Sequence, residues 1–402
     1  YFNFTEDRLV QIASKAKECG VELFVLDDGW FGQRNDDHAG LGDWVANPER
    51  LPNGIKGLSE RIEAMGIKFG LWFEPEMTNK DSDLYRAHPD WILHTPGRNA
   101  SHGRYQYVLD FSRKEVVEYI YEMMAKILSE AKVSYIKWDM NRSITECYSV
   151  ALPADRQGEV FHRYILGVYD LYERLTSEFP EVLFESCSSG GGRFDPGMLY
   201  YAPQGWTSDD SDAIERLKIQ YGTSLCYPIS SMGSHVSVIP NHQVFRKTPL
   251  HTRANVAYFG TFGYELDLNS LKEEEIAEVK EQIIFMKKYR KLFQFGDFYR
   301  LKSPFEGNET IWMVVSEDKK TAIVGYYRTL NGVNQAYSRI KLQGLDPDML
   351  YENILNKTEN YGDELMNFGL ITTDVTAGEV PGDATPCTDF ESRIYILKAK
   401  EK

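Results

Sequence analysis

Short apolar runs alternate with amphipathic helical patterns over roughly the first 290 of 402 residues, and that alternation restricts the fold more than any other feature. Residues 21–27, 67–73, 133–138, 182–185 and 205–208 read as strands, with later candidates at 228–232 and 262–265. Between them, 113–131 carries Val116, Val117, Ile120, Met123, Met124, Ile127 and Leu128 on one helical stripe, and Ser112 with Glu115 predicts a capping box at its start. Further helices are expected near 250–258 and 271–289, which brings the strand count close to eight. Parallel βα units in this number predict a (β/α)8 TIM barrel over residues 1–290, with a doubly wound open sheet as the competing arrangement. After residue 290 the helical period stops. Runs at 311–315, 321–327, 338–342, 350–354 and 392–397 predict a C-terminal antiparallel β-sandwich over 291–402, serving structure.

Composition removes several classes of function. A net charge of -15 argues against nucleic acid or anionic membrane as partner, because both need clustered cations. No apolar run is long enough to span a bilayer, and no signal peptide is visible. The five cysteines, Cys19, Cys147, Cys187, Cys226 and Cys387, lack CxxC spacing, so a reducing, cytoplasmic setting without a disulfide framework is expected. The aromatic content of 13% suits sugar stacking and large cores alike.

Polar residues gather at the C-terminal ends of the expected strands, where a barrel keeps its active site. These ends read Leu26-Asp27-Asp28-Gly29-Trp30, Leu71-Trp72-Phe73-Glu74-Pro75-Glu76, Lys137-Trp138-Asp139-Met140-Asn141, Glu185-Ser186-Cys187-Ser188-Ser189-Gly190 and Trp206-Thr207-Ser208-Asp209-Asp210-Ser211-Asp212. Strand parity places Lys137, Asp139 and Asn141 on one face and Ile136, Trp138 and Met140 on the other. The histidines show no HExxH pair, so no metal and no cofactor is expected. No G-x-S-x-G elbow is present, and Gly190-Gly191-Gly192 lacks the spacing of a phosphate loop.

Carboxylates remain, and two at barrel strand ends are what glycoside hydrolysis requires. Asp139 beside the cation of Lys137 is the better nucleophile, since a nearby positive charge favours the ionised form. The acid is expected from the Asp209 to Asp212 cluster. Asp212 with Glu215 reads as the N-cap of the next helix, and parity alone does not choose between Asp209 and Asp210. Trp138 and Trp206 are expected to pack the core, while Glu74, Glu76, Asp43 and Trp44 stay open between pocket and packing roles.

These segments resemble the signature segments of bacterial α-galactosidases of glycoside hydrolase family 36, through the whole barrel. The resemblance implies a retaining hydrolase of terminal α-galactosyl residues, as in melibiose and raffinose, with Asp139 as nucleophile and Asp209 as acid/base. It also implies that Asp27, Asp28, Trp72, Arg104, Lys137, Asn141, Cys187 and Gly190 bind substrate. Members carry a β-sandwich and a first barrel strand ahead of the position of Tyr1. The chain is therefore expected to be a fragment lacking both, from a full-length homo-oligomer whose partner is a small oligosaccharide. An α-N-acetylgalactosaminidase or galactosyl transferase on the same fold, and a non-catalytic sugar-binding protein, are the alternatives.

Overall fold

The computed structural model describes residues 2–333, 338–372 and 389–400, so Cys387 lies outside the described residues. Cys19, Cys147, Cys187 and Cys226 form no disulfide. The chain divides into two compact units, Tyr1–Trp206 with Leu268–Ser270, and Thr207–Asp267 with Leu271–Lys402. Among the described residues, no helix is long and apolar enough to cross a membrane.

The first unit runs α1 (Glu6–Cys19), β1 (Leu23–Leu26), α2 (Gly54–Ala64), β2 (Lys68–Phe73), β3 (Met77–Asn79), α3 (Asp83–Ala87), β4 (Gln106–Val108), α4 (Lys114–Glu130), β5 (Tyr135–Trp138), α5 (Val160–Glu178), β6 (Leu183–Ser186), α6 (Pro196–Tyr201) and β7 (Gln204–Gly205). Strands β1, β2, β5, β6 and β7 form one parallel sheet in that order, while β3 and β4 make a separate antiparallel pair. Each parallel strand pairs with the next one along the chain, without the order reversal of a doubly wound sheet, and this is the progression of a barrel wall. The helix-facing side is apolar: Phe69, Leu71, Phe73, Ile136 and Trp138 are completely buried, and the Trp138 ring stacks on Tyr172 of α5 at 3.9 Å.

Two local expectations change. The capping box at Ser112 does not form, because the Ser112 hydroxyl donates to Asp110 Oδ1 (2.5 Å) and α4 starts at Lys114. Glu115 accepts instead from Arg113 Nε at 2.8 Å. Segment 228–232 is a 3-10 turn rather than a strand, since Pro228 sets an extended entry and its carbonyl accepts both the backbone N–H and the hydroxyl of Ser231 (3.0 and 2.7 Å). The strand begins at Gly233.

In the second unit, α7 (Ala213–Thr223) is capped by Asp212, whose Oδ2 accepts from the N–H groups of Ile214 (3.0 Å) and Glu215 (3.1 Å). Next come β8 (Gly233–Ser237), α8 (Leu250–Ala257), β9 (Thr261–Glu265) and α9 (Glu273–Phe295), with β8 and β9 pairing in parallel. The helical pattern then gives way to β10 (Asp297–Lys302), β11 (Glu309–Val315), β12 (Thr321–Arg328), β13 (Arg339–Ile340), β14 (Leu350–Asn353), β15 (Glu359–Tyr361), α10 (Gly362–Asn367), β16 (Leu370–Ile371) and β17 (Glu391–Ala399). Six of these form an antiparallel sheet in the order β10-β11-β12-β17-β14-β15, and β13 pairs with β16. Its core holds Met313, Val315, Val324, Tyr326, Tyr395 and Leu397 together with Ile340 and Leu370 of the smaller sheet. Helix α8 is tied to this sheet by Asn255 Nδ2, which donates to Ser392 Oγ at 2.8 Å.

Two contacts fix the packing around β5 and β6. A Cβ at Gly167 in α5 would lie 1.9 Å from the Phe111 carbonyl oxygen, so only glycine lets the helix approach this backbone. Glu76 is fully buried and meets Arg193 through two bonds of 2.7 and 2.8 Å, with Trp138 Nε1 (2.8 Å) and the Tyr164 hydroxyl also donating to it. Burial alone would raise the Glu76 carboxyl, but Arg193 and the other donors bring it below its usual value.

Replacing a helical glycine by alanine ordinarily stabilises by about 1 kcal/mol. At Gly167 the Phe111 contact reverses the sign, and denaturant unfolding of Gly167→Ala is expected to show a loss of about 2 kcal/mol or more. Glu76→Gln, leaving the Arg193 charge buried without its counter-ion, is expected to cost about 3 to 5 kcal/mol. Because the folded carboxyl titrates below its usual 4.5, the pair's contribution is complete above that value and fades as pH falls through the depressed one. Melting curves across that acid range check it, and an unchanged acid dependence in Glu76→Gln contradicts it.

Candidate functional site

The parallel register stacks polar residues in two layers at the C-terminal edge of the five-stranded sheet. Trp72, Lys137 and Glu185 are in register with one another, as are Glu185 and Gln204. Asp27 follows the Leu26↔Leu71 pair and joins Trp72 in this lower layer. One step higher, Glu74, Asp139, Cys187 and Trp206 are each the first residue past the end of their strand. The ladder continues through this step, with Asp139 N donating to Phe73 O (2.7 Å), Cys187 N to Trp138 O (2.7 Å) and Trp206 N to Ser186 O (2.8 Å).

In the lower layer, Lys137 Nζ donates to Asp27 Oδ2 at 3.0 Å and lies 5.6 Å from the centre of the Trp206 ring. Burial alone would depress the ammonium, but Asp27, then Cys187, Glu185 and Asp139, hold it well above its usual value. Lys137 is thus a fixed cation whose direct partner is Asp27. Asp139, expected beside this cation, also acts on it through space. Glu185 Oε2 accepts from the Tyr135 hydroxyl at 2.5 Å, while its Oε1 is buried without a hydrogen-bond partner.

Asp139 is buried, and its direct donors are neutral. Trp72 Nε1 and Asn141 Nδ2 both donate to Oδ2, at 3.1 and 2.8 Å, and Oδ1 accepts from Met140 N at 2.9 Å. Cys187 stands beside it; burial first and the Asp139 charge second push the thiol well above its usual value, so it remains a neutral S–H against the carboxylate. Trp72 is itself nearly enclosed, stacked near Phe31 at 6.1 Å, and presents its N–H edge to Asp139. Ser189 Oγ donates to Asn141 Oδ1 at 3.3 Å from a turn in which Ser189 (φ 45) and Gly190 (φ 85) both adopt left-handed backbone, and Ser188 N closes the turn on Gly190 O at 2.8 Å. Gly190 is suited to that conformation.

Asp28 is committed elsewhere in the same loop. Both of its oxygens meet Arg34, at 2.9 and 2.7 Å, and Oδ1 also accepts from Gly29 N. Arg104 is exposed in the two-residue turn directly before β4, where Arg104 (φ 51) and Tyr105 (φ 61) link the paired Gly103 and Gln106. Asp43 and Trp44 serve packing: Asp43 accepts from the N–H groups of Asp83 and Leu84 at the start of α3, and Trp44 is buried against Phe31. Asp209 lies in the second unit, exposed in the segment before α7, and its carbonyl accepts from Gln243 Nε2 at 3.4 Å. The other acids of that run serve local structure, Asp210 accepting from Asp212 N at 3.0 Å and Asp212 capping α7 while meeting Arg246.

Trp138 and Trp206 are buried, as expected. Trp206 also faces Lys137, which residue type alone does not reveal. Glu74 resolves as a completely buried acid whose oxygens accept from Asn141 N and from Gln106 Nε2, the latter at 3.0 Å. Its parity with Trp72 was the available signal. Gln106 and Arg34, far away in sequence, carry none.

The Melibiase family model matches residues 1–296, and that of the glycosyl hydrolase family 36 C-terminal domain matches residues 309–397. α-Galactosidase AgaA of Geobacillus stearothermophilus is 56% identical over all of this chain and 54% of its own length. Mel36A of Lactobacillus acidophilus is 49% identical over 99% of the chain and 53% of its own length, so the chain spans about half the length of the curated relatives it matches. The crystal structure of AgaA superposes with a TM-score of 0.95 at 53% identity, covering 100% of this chain and 54% of that one. An α-galactosidase structure from Lactobacillus brevis gives 0.96 at 50% identity, covering 100% and 54%. The chain belongs to the Melibiase family, a TIM barrel followed by the β-rich C-terminal domain of glycosyl hydrolase family 36.

Proposed function

We propose that the chain carries the catalytic machinery of a retaining α-galactosidase that removes terminal α-linked galactose from oligosaccharides of the melibiose and raffinose type. The observation that carries this reading is Asp139: a buried carboxylate at a barrel strand end, oriented by two neutral donors on Oδ2, above the fixed Lys137–Asp27 pair. Neutral donors orient a carboxylate without consuming its charge, which suits a nucleophile. Crystal structures of AgaA variants in complex with raffinose, stachyose and 1-deoxygalactonojirimycin support the substrate class.

In this reading Asp139 attacks the anomeric carbon and forms a β-galactosyl ester while Asp209 protonates the departing glycosidic oxygen. Asp209 then takes a proton from water, which displaces Asp139 and releases α-galactose. Asp209 is preferred over Asp210 on the family resemblance, and Asp210 Oδ1 accepts from Asp212 N at 3.0 Å. Asp27, Asp28, Trp72, Arg104, Lys137, Asn141, Cys187 and Gly190 are assigned to substrate binding, residues 1–290 to catalysis and 291–402 to structure. The longer protein is proposed, on family resemblance, to act as a homo-oligomer in the bacterial cytoplasm.

In the full-length protein, Asp139→Ala and Asp209→Ala are each expected to lower hydrolysis of 4-nitrophenyl α-galactoside by about a thousandfold or more, with melting temperatures close to wild type. Azide separates the two roles. It is expected to give β-galactosyl azide with Asp139→Ala, where it replaces the nucleophile, and α-galactosyl azide with Asp209→Ala, where it attacks the galactosyl-enzyme. The opposite anomers would exchange the assignments, and no rescue in either variant would remove them.

A further inference from the structure

We propose that Glu74 is a positioning residue for Asp139, anchoring the backbone that carries Asn141 and remaining uncharged beside the Asp139 carboxylate. The proposal rests on the reading of Asp139 as nucleophile and adds to it a second carboxyl whose ionisation disables the site. Glu74 and Asp139 each follow the last residues of paired strands, Phe73↔Trp138, so they stand side by side on the interior face of the sheet. Glu74 is completely buried. Oε1 accepts from Asn141 N, and the side chain of that same residue donates to Asp139 Oδ2 at 2.8 Å. A displacement of Glu74 therefore moves a donor of the nucleophile through one residue of backbone.

Among the described residues, two charges act most strongly on Glu74. From β5 comes Asp139, and from the segment after β1 comes Arg34, whose guanidinium is already held by Asp28 at 2.9 and 2.7 Å and by Asn79 Oδ1 at 3.2 Å. The β4 side offers the neutral amide of Gln106. Two carboxylates sharing a buried site do not both ionise without a cation between them. Glu76, two residues on, has its cation in Arg193 and is ionised; Glu74 has a carboxylate where Glu76 has a guanidinium. Burial first and Asp139 second push Glu74 up to about 8, so the uncharged form prevails below that pH and is lost as pH rises through it. Gln106 serves either state, since its Nε2 donates to Glu74 while its Oε1 is buried without a partner; a half-turn of the amide presents that oxygen to a protonated carboxyl.

The test is the pH profile of kcat/KM in the full-length protein with α-galactosyl fluoride, whose leaving group needs little help from an acid such as Asp209. Glu74→Gln is expected to move the alkaline limb up by about one pH unit or more, because the amide keeps the acceptor for Asn141 and cannot ionise. An unmoved limb overturns the proposal. A role in packing alone would lower the plateau without moving the limb. Should Glu74→Gln not fold, infrared titration of the wild type and of Asp139→Asn answers the same question. A buried protonated-carboxyl band is expected to vanish in the wild type as pH passes about 8, and to vanish at lower pH once the Asp139 charge is gone. Absence of the band at neutral pH, or an identical midpoint in Asp139→Asn, overturns the proposal. The azide products of Asp139→Ala judge the nucleophile separately, so failure of either claim is visible without the other.

Discussion

A lysine on the inner face of a parallel sheet sets the terms for everything around it. Lys137 sits among Trp72, Tyr135, Glu185 and Trp206, and its charge is met first by Asp27, which reaches it from two strands away along the sheet, and then by Cys187, Glu185 and Asp139. That requirement ties the end of β1 to the middle of β5 through β2. Once Asp27 neutralises Lys137, Asp139 one layer higher is left to uncharged donors, and the two carboxyls beside and beyond it divide by surroundings: Glu76 with Arg193, Glu74 without a cation of its own. Identical side chains two residues apart thereby meet opposite neighbours, a guanidinium at Glu76 and a carboxyl at Glu74, the kind of difference that separates paired carboxyls in enzyme sites.

The fold was legible because its signals are local. Apolar runs at 67–73 and 133–138 need only their own residues to read as buried strands, and the stripe from Val116 to Leu128 needs only its own period. The clustering of acids and aromatics just past the strands was legible for the same reason, as was Asp212 as a cap, which depends on nothing beyond Glu215. Parity also sorted Lys137 and Asp139 from Trp138 correctly.

What sequence could not supply were the partners. That Lys137 answers to Asp27, 110 positions earlier, follows from strand register, which no single strand records. The Ser112 cap failed because Asp110, two residues upstream, competes for its hydroxyl. The turn at 228–232 failed because proline and serine can close a local backbone bond that an apolar pattern does not register. Glu74 and Glu76 look interchangeable in the run Glu74-Pro75-Glu76, and only Gln106 and Arg193, distant in the chain, distinguish them.

The close approach at Gly167 has a mechanical reading. With the Phe111 carbonyl filling the space of a side chain, α5 sits at a depth that a residue with a Cβ would not reach. From that seat Tyr164, three residues before the glycine, reaches Glu76, and Tyr172, five residues after it, lies flat against Trp138. The missing methyl group thus works as a keyway: it indexes one helix against one loop and so aims two tyrosines, about two turns apart, at the two strand ends they brace.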